Sequence, residues 1–357
     1  MQTQTKPESI AEIGIDAEIN AVETAAPKKK RKKKRIVLIT TAAVLAIALV
    51  FTLVSPLPVS YMVRLAFLYD SSKEPDGYDD IKSRVSVMRD LKYPSKYKDN
   101  SADIYILKDA KEPLSVVLWV HGGAFVGGDK RDAEIYATAL ASEGYAVVCI
   151  NYRRAPEAKY PAPVIQTGEA YLWIKTLADS YPMDAERLVL AGDSAGAHIA
   201  AQFAAIQSNG EYAKEMAIEP IVPLEFIKAT LLFCGPFDTA KILAIDSSIM
   251  NFLMGKAAWA YFGEKAWEGK FASQATVTDY ITADFPPSFI SDGNTLSFEE
   301  HGRALAEELE KKGVPVETYF VSAEEEVTKH EYQFVMNTPA AKKSFEKALA
   351  FLKKYTA

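Results

Sequence analysis

The sequence predicts an α/β fold: a mostly parallel, eight-stranded sheet with helices on both faces, preceded by one membrane-crossing helix. Three observations predict it. From about Ser83 onward, short apolar runs alternate with stretches of helical periodicity. Two of those helical stretches, "DAEIYATALASEG" and "SFEEHGRALAEELEKKG", stop at Gly144 and Gly313, where helices commonly end. Near the start of the chain, "IVLITTAAVLAIALVFTLV" (Ile36–Val54) runs for 19 residues without a charge. At 1.5 Å per residue it spans roughly 28 Å, about one bilayer core.

The N-terminal elements come first. Residues 1–35 hold nine Lys/Arg and five acids, with the basic residues concentrated in "KKKRKKKR" (Lys28–Arg35). Such a run can be a nucleic-acid patch. Placed directly before an apolar span, it favours retention on the cytoplasmic side. The remaining chain has 32 basic and 42 acidic residues, a net charge near −10, which argues against nucleic-acid binding. The expected organisation is a cytoplasmic tail (1–35, its first 27 residues disordered), an anchor (36–54), a juxtamembrane linker after the helix-breaking "SPLP" (55–82), and a catalytic domain (83–357). That arrangement puts the chain in the plasma membrane as a single-pass protein with its body outside. The competing reading is a cleaved signal peptide. The long leader, the length of the run and the lack of an A-x-A-like site weigh against it.

In the body, "SRVSVMRDLKY" and "SADIYILKD" read as two antiparallel strands. Six further strands follow at "SVVLWV", "YAVVCINY", "RLVLAG", "ATLLFCG", "SFISDG" and "VETYFV". In such a sheet, function gathers at the carboxyl ends of the strands. Residues 237–285 interrupt the alternation with the aromatic-rich "AWAYFGEKAWEGKF". They are either a surface helix pair or a lid over the pocket.

Two motifs carry chemistry. "GDSAG" (Gly192–Gly196) follows an apolar strand and opens a helical run, the context of a nucleophile elbow. Small residues let the chain bend so that the Ser194 oxygen projects. "HGGAFVGG" (His121–Gly128) follows another strand. The N–H groups of Gly122 and Gly123, with that of Ala195, are the expected oxyanion donors. Asp193 is read as structural.

With "NYRRAPEAKYPAP" (Asn151–Pro163) between them, these motifs resemble the hormone-sensitive-lipase-like esterases of the α/β-hydrolase fold, over about residues 85–355. The resemblance implies hydrolysis of carboxylic esters, often of short acyl chains, without metal or cofactor. It implies a structural role for His121. Of the four histidines, His330 fits the order serine, acid, histidine, with Glu331 standing where the family usually has glycine. The family's aspartate lies three residues beyond a glycine in the loop after the seventh run. Here that position is Leu296, and counting back from the next helix lands near Asn294. Asp292 is therefore the expected acid, with Glu299 or Glu300 as alternatives.

Cys149 and Cys234 fall on strands with two others between them in the family's sheet. At about 4.8 Å per strand they are too far apart for a disulfide. Two free, buried, unreactive thiols are expected. The expected activity is a membrane-anchored serine carboxylesterase acting on small-molecule or polysaccharide esters, acetyl esters included. A serine peptidase of the same fold and a non-catalytic binding module are the competing readings. Oligomeric state is not encoded in any of these motifs.

Overall fold

The computed structural model describes residues 28–67, 72–178, 180–264 and 269–357. The chain forms two units, Met1–Val54 and Ser55–Ala357. In the first, helix α1 (Lys28–Val54) contains the predicted span. Its Lys32–Val54 stretch, of mean hydropathy 2.7, is long and apolar enough to cross a membrane. Residues 1–27, whose sequence predicts disorder, lie outside the described residues.

In the second unit, α2 (Leu57–Ala66) and α3 (Tyr78–Ser83) precede β1 (Val85–Lys92), β2 (Ser101–Leu107) and β3 (Leu114–Val120). Then come α4 (Glu134–Ser142), β4 (Ala146–Ile150), α5 (Ala162–Leu177), β5 (Met183–Asp193), α6 (Ala195–Ser208) and α7 (Gly210–Met216). The chain continues through β6 (Ile227–Phe233), α8 (Ser248–Phe262), α9 (Lys270–Gln274), β7 (Ser288–Asp292), α10 (Glu299–Lys311), β8 (Val316–Phe320) and α11 (Pro339–Thr356). The eight strands form one sheet in the order β1-β2-β4-β3-β5-β6-β7-β8. β1 and β2 pair antiparallel, as do β2 and β4, and every later pairing is parallel.

The period-2 geometry of a strand assigns each side chain to a face. Val116, Leu118, Val120, Leu188 and Leu190 pack in one core with α5 and α6. Val117, Trp119, Val189, Leu231 and Phe233 pack in the other with α4 and α11. Val116 to Val120 are fully buried. Each such side chain contributes roughly 1.5–3 kcal/mol of burial free energy. The central strands are therefore the rigid base on which the site stands.

Two expectations change. Residues 55–82 are not merely a linker. α2 packs on α8, because its Val59 and Val63 face find apolar partners there. Four of those residues, 68–71, lie outside the described ones. Cys234 sits just past β6 rather than on it, with a left-handed φ of 55°. Cys149 is on β4, and both thiols are free and buried, with β3 and β5 between their strands. In the 237–285 region, α8 and α9 flank residues 265–268, part of the aromatic-rich stretch, which are outside the described set.

Candidate active site

β5 ends at Asp193 and α6 begins at Ala195, so Ser194 alone makes the bend. Its backbone is at φ 50°, ψ −121°, a sparsely populated conformation for a residue with a side chain. The neighbouring backbone passes very close. A Cβ on Gly196 would run into the carbonyl of Val120. The bend thus demands the small residues of "GDSAG" and places Ser194 at the N-terminus of α6, where the helix dipole favours developing negative charge.

The glycine loop lies alongside. Gly123 has φ 108°, and a Cβ there would strike Gly127. The Gly122 N–H, expected to serve an oxyanion, instead donates to Asp193 Oδ2 at 2.7 Å. The Trp119 indole N–H donates to the other carboxylate oxygen at 2.7 Å. Asp193 thereby fixes the loop against β5 and takes Gly122 out of the set of free donors. Among the described residues, the N–H groups of Gly123, Ala124 and Ala195 make no backbone hydrogen bond. Ala124, which sequence reasoning passed over, lines the same cavity as Ser194. Its signal was its place directly after the two glycines.

The "NYRRAPE" motif clasps this loop from outside. The Asn151 amide oxygen accepts the Lys130 N–H at 2.7 Å, and its NH2 donates to Asp129 at 2.8 Å. The Tyr152 hydroxyl donates to the His121 carbonyl at 3.1 Å, and Arg154 donates to the Gly128 carbonyl at 2.8 Å. His121 stacks on Tyr152, its Nδ1 is 2.6 Å from the Gly122 carbonyl, and burial pushes its pKa down to about 4. It is a neutral structural ring. Arg64 of α2 completes the clasp. It donates to the carbonyls of Val126 and Ala155, each at 2.6 Å, and pairs with Glu157 at 2.7 Å.

Of the four histidines only His330 reaches the serine, with Nε2 2.9 Å from Ser194 Oγ. His198 is buried with Nε2 2.7 Å from the Ala275 carbonyl, and His301 accepts from the Asp238 N–H. The loop carrying His330 is held by Asn294. Its Nδ2 donates to the Val321 and Glu326 carbonyls at 3.0 and 2.8 Å, and its Oδ1 accepts the Thr328 N–H at 3.0 Å. Gly293 allows the two loops to touch, since a Cβ there would meet the Lys329 carbonyl. Glu331 adopts the glycine-like φ of 59°. Its carboxyl reaches beneath the loop to hydrogen-bond Asp193. Burial and that neighbour hold Glu331 well above the usual carboxylate range, and burial pushes Asp193 up to about 6.

The acid side has a feature with no linear signature. Asp292, at the end of β7, is linked to His330 through a serine. Ser297 Oγ donates to Asp292 Oδ1 and lies 2.7 Å from His330 Nδ1. Asp292 also accepts the Gly293 N–H at 2.7 Å, and burial pushes its pKa up to about 7. The alternatives are placed elsewhere: Glu299 pairs with Arg303, and Glu300 is exposed. Cys234, expected to be inert packing, is at the site. Its sulfur and ligand atoms of Asp292 and His330 lie within 4.8 Å of one another. Such a trio could in principle ligate a cation. Both nitrogens of His330 are already engaged, by Ser194 and Ser297, so ligation would dismantle the serine–histidine contact.

A cavity of about 310 Å³ opens at Ser194 and His330. Its other walls are apolar: Val63 and Phe67 at one side, Met250 and Met254 of α8 at another, with Leu296 and Phe298. Of the two readings of residues 237–285, this placement of α8 fits the pocket wall.

The BD-FAE family model matches residues 102–300, a stretch that includes the glycine loop, Ser194 and Asp292 and ends before His330. Esterase LipI of Mycobacterium tuberculosis is 32% identical over 211 residues, covering 57% of this chain and 62% of that protein. Carboxylesterase NlhH of the same species is 28% identical over 287 residues, covering 78% and 80%. Three curated relatives above 30% identity, LipI and two probable isoprenylcysteine alpha-carbonyl methylesterases of Oryza sativa, are spanned over 27–62% of their length. Among solved structures, esterase B from Lactobacillus rhamnosis superposes with a TM-score of 0.69 at 19% identity, over 80% of this chain and 90% of that one, which shows the shared fold. With a strained serine on a strand-helix bend, a glycine loop beside it and a matching family model over more than half its length, the chain belongs to the BD-FAE family, among the hormone-sensitive-lipase-like esterases of the α/β-hydrolase fold.

Proposed function

We propose that the protein is a serine carboxylesterase, anchored by α1, that hydrolyses short-chain esters, acetyl esters among them. The observation that carries this reading is the 2.9 Å contact between Ser194 Oγ and His330 Nε2 at the mouth of an apolar cavity. Burial pushes the His330 pKa down to about 4, so the ring is a neutral base at physiological pH. It takes the Ser194 proton as Oγ attacks the ester carbonyl. The tetrahedral oxyanion is stabilised by N–H groups at Gly123, Ala124 and Ala195 and by the α6 dipole. His330 then protonates the leaving alcohol. Water, activated by the same ring, releases the acid from the acyl-enzyme.

Asp292 and Ser297 set the tautomer. Ionised, Asp292 accepts the Ser297 proton, and Ser297 Oγ can then accept only from Nδ1–H. That leaves Nε2 unprotonated and facing Ser194. A protonated Asp292 frees Ser297 to donate to Nδ1, which puts the proton on Nε2, the wrong side for a base. Asp292, Ser297 and His330 thus act as one orienting unit.

The cavity volume is at the low end for small-molecule sites, which favours small acyl groups. Among the described residues its lining has no Asp, Glu, Lys or Arg to hold a peptide terminus or a charged side chain, and the peptidase reading loses ground. The basic cluster before the span supports a cytoplasmic N-terminus and an outward-facing body in the plasma membrane. The decisive assay uses the full chain in detergent with p-nitrophenyl esters from acetate to laurate, beside Ser194→Ala. Turnover that peaks at short chains and disappears in the variant is expected. A folded wild type that leaves every ester intact would end the esterase reading. Protease protection of residues 1–35 in intact cells tests the orientation.

A further inference from the structure

The wall of the cavity formed by α2 and α8 is apolar on its outer side as well as its inner one. α2 reads "LPVSYMVRLA", with only Ser60 and Arg64 strongly polar. Ser60 is buried, and Arg64 is tied down by Glu157 and two carbonyls. The outward face should be polar if it met water. Instead it presents Leu57, Tyr61 and Leu65, the last 67% exposed. On α8, Ile249 is 73% exposed and Phe252 is exposed beside it. Met62 and Leu296 line the cavity and are themselves more than half exposed, so they stand at its mouth. Among the described residues, the α2–α8 side of the opening to Ser194 is therefore lined by uncovered apolar side chains, while charged Asp246, Glu299, Glu300 and Arg303 stand beyond Leu296 and Phe298.

Only Ser55 and Pro56 separate the end of the apolar run, Val54, from the start of α2. Three peptide steps reach at most about 11 Å. An anchor that ends at Val54 must therefore release the chain at the bilayer surface with α2 as the first element to emerge. We propose that the α2–α8 rim is seated in the interface of the membrane that α1 crosses. The cavity then draws its substrate from the lipid phase: an amphiphilic ester whose small acyl group enters toward Ser194 while its long-chain alcohol stays in the bilayer. This rests on the anchored-esterase reading above. It replaces freely soluble and polysaccharide esters with membrane-dissolved ones.

The test keeps the acyl group constant and changes only the phase. The full chain, reconstituted in phosphatidylcholine vesicles, is assayed with p-nitrophenyl acetate in the water and with hexadecyl acetate dissolved in the bilayer. A Leu65→Glu, Ile249→Glu, Phe252→Glu variant alters the rim at positions outside the cavity lining. Its rate on p-nitrophenyl acetate should stay within about twofold of wild type, while hexadecyl acetate turnover falls about tenfold or more. A fall of equal size on both substrates, with fluorescence and melting unchanged, overturns the proposal. So does a wild type that cleaves only the soluble ester. A wild type inert toward both esters refutes the esterase reading instead, and release from vesicles by an alkaline wash refutes the anchor. If the triple variant does not fold, Leu65→Cys carrying an environment-sensitive dye decides. Quenching by doxyl-labelled lipid supports the seated rim, and an unquenched dye on an active protein overturns it.

Discussion

The nucleophile side of this site and its acid side are held by different kinds of bond. Ser194 and Gly123 are fixed by backbone passing close to backbone and Asp193 by hydrogen bonds to its carboxylate from Trp119 and Gly122, with Asn151, Tyr152, Arg154 and Arg64 closing around them. His330 sits on the loop after β8, and Asp292 is the last residue of β7, where the next loop begins. They meet through the hydroxyl of Ser297 and the side-chain amide of Asn294. The first side is redundant, so no single contact defines it. The second passes through one oxygen. Loss of one group should therefore cost far more on the acid side, except at Ser194 itself.

Asp292→Asn is the strongest way to break that asymmetry. An amide can donate to Ser297 and so favour the wrong tautomer, and kcat should drop by roughly 10⁴-fold. The pH profile sharpens the point. Burial pushes Asp292 up to about 7, so wild-type kcat/KM should fall as pH drops through about 7, and the Asn variant should lose that limb. Stability moves the opposite way. A carboxyl whose folded pKa is raised is favoured in its neutral form, so its contribution is lost as pH rises from about 4 through about 7. At pH 8 the Asn variant should melt at or above the wild-type temperature while nearly inactive. If activity were unaffected, the orienting role of Asp292 would fall.

Ser297→Ala should cost about 10- to 100-fold in kcat with little change in KM, the value of one charge-assisted hydrogen bond. Combined with Asp292→Asn it should add little, since both disable one unit. Additive losses would place the two residues in separate roles. On the other side, Arg64→Ala removes contacts to Val126, Ala155 and Glu157 together. Arg64 is partly exposed, so a loss of only about 1–2 kcal/mol is expected, read as a melting temperature lower by a few degrees, with a kcat change under about tenfold. A larger kinetic effect would show that the clasp is less redundant than described.

Glu331 supplies the smallest effect. Its φ of 59° suits glycine, so Glu331→Gly should be more stable than Glu331→Ala by about 1 kcal/mol in chemical denaturation. The reverse order would mean that the left-handed backbone does not govern the stability of this position.

The sheet, the elbow and the candidate histidine were legible because each leaves a periodic or positional trace, whereas the strand order was only implied by the family resemblance. Buried strands must be apolar, a bend with no room for Cβ must be glycine, and the chain order of the fold leaves His330 alone after β8. The donor set was read one residue early. Gly122 carries the same glycine signature whether its N–H points to a substrate or to Asp193, and only the 2.7 Å contact separates the two. Asp292 was reached as the sole aspartate near the loop, without any sign that Ser297 stands between it and His330.

By itself, the sequence determined the α/β architecture, the candidates for nucleophile and base, and the apolar span, because these depend on local pattern and covalent order. Tertiary structure alone decided that α2 is a wall of the cavity, that Cys234 lies beside Asp292, and that a serine hydroxyl carries the acid to the histidine. Each of those depends on a contact between segments remote in the chain, such as Ser297 with His330. Neither side of such a contact needs an unusual residue, so only their packing together reveals it.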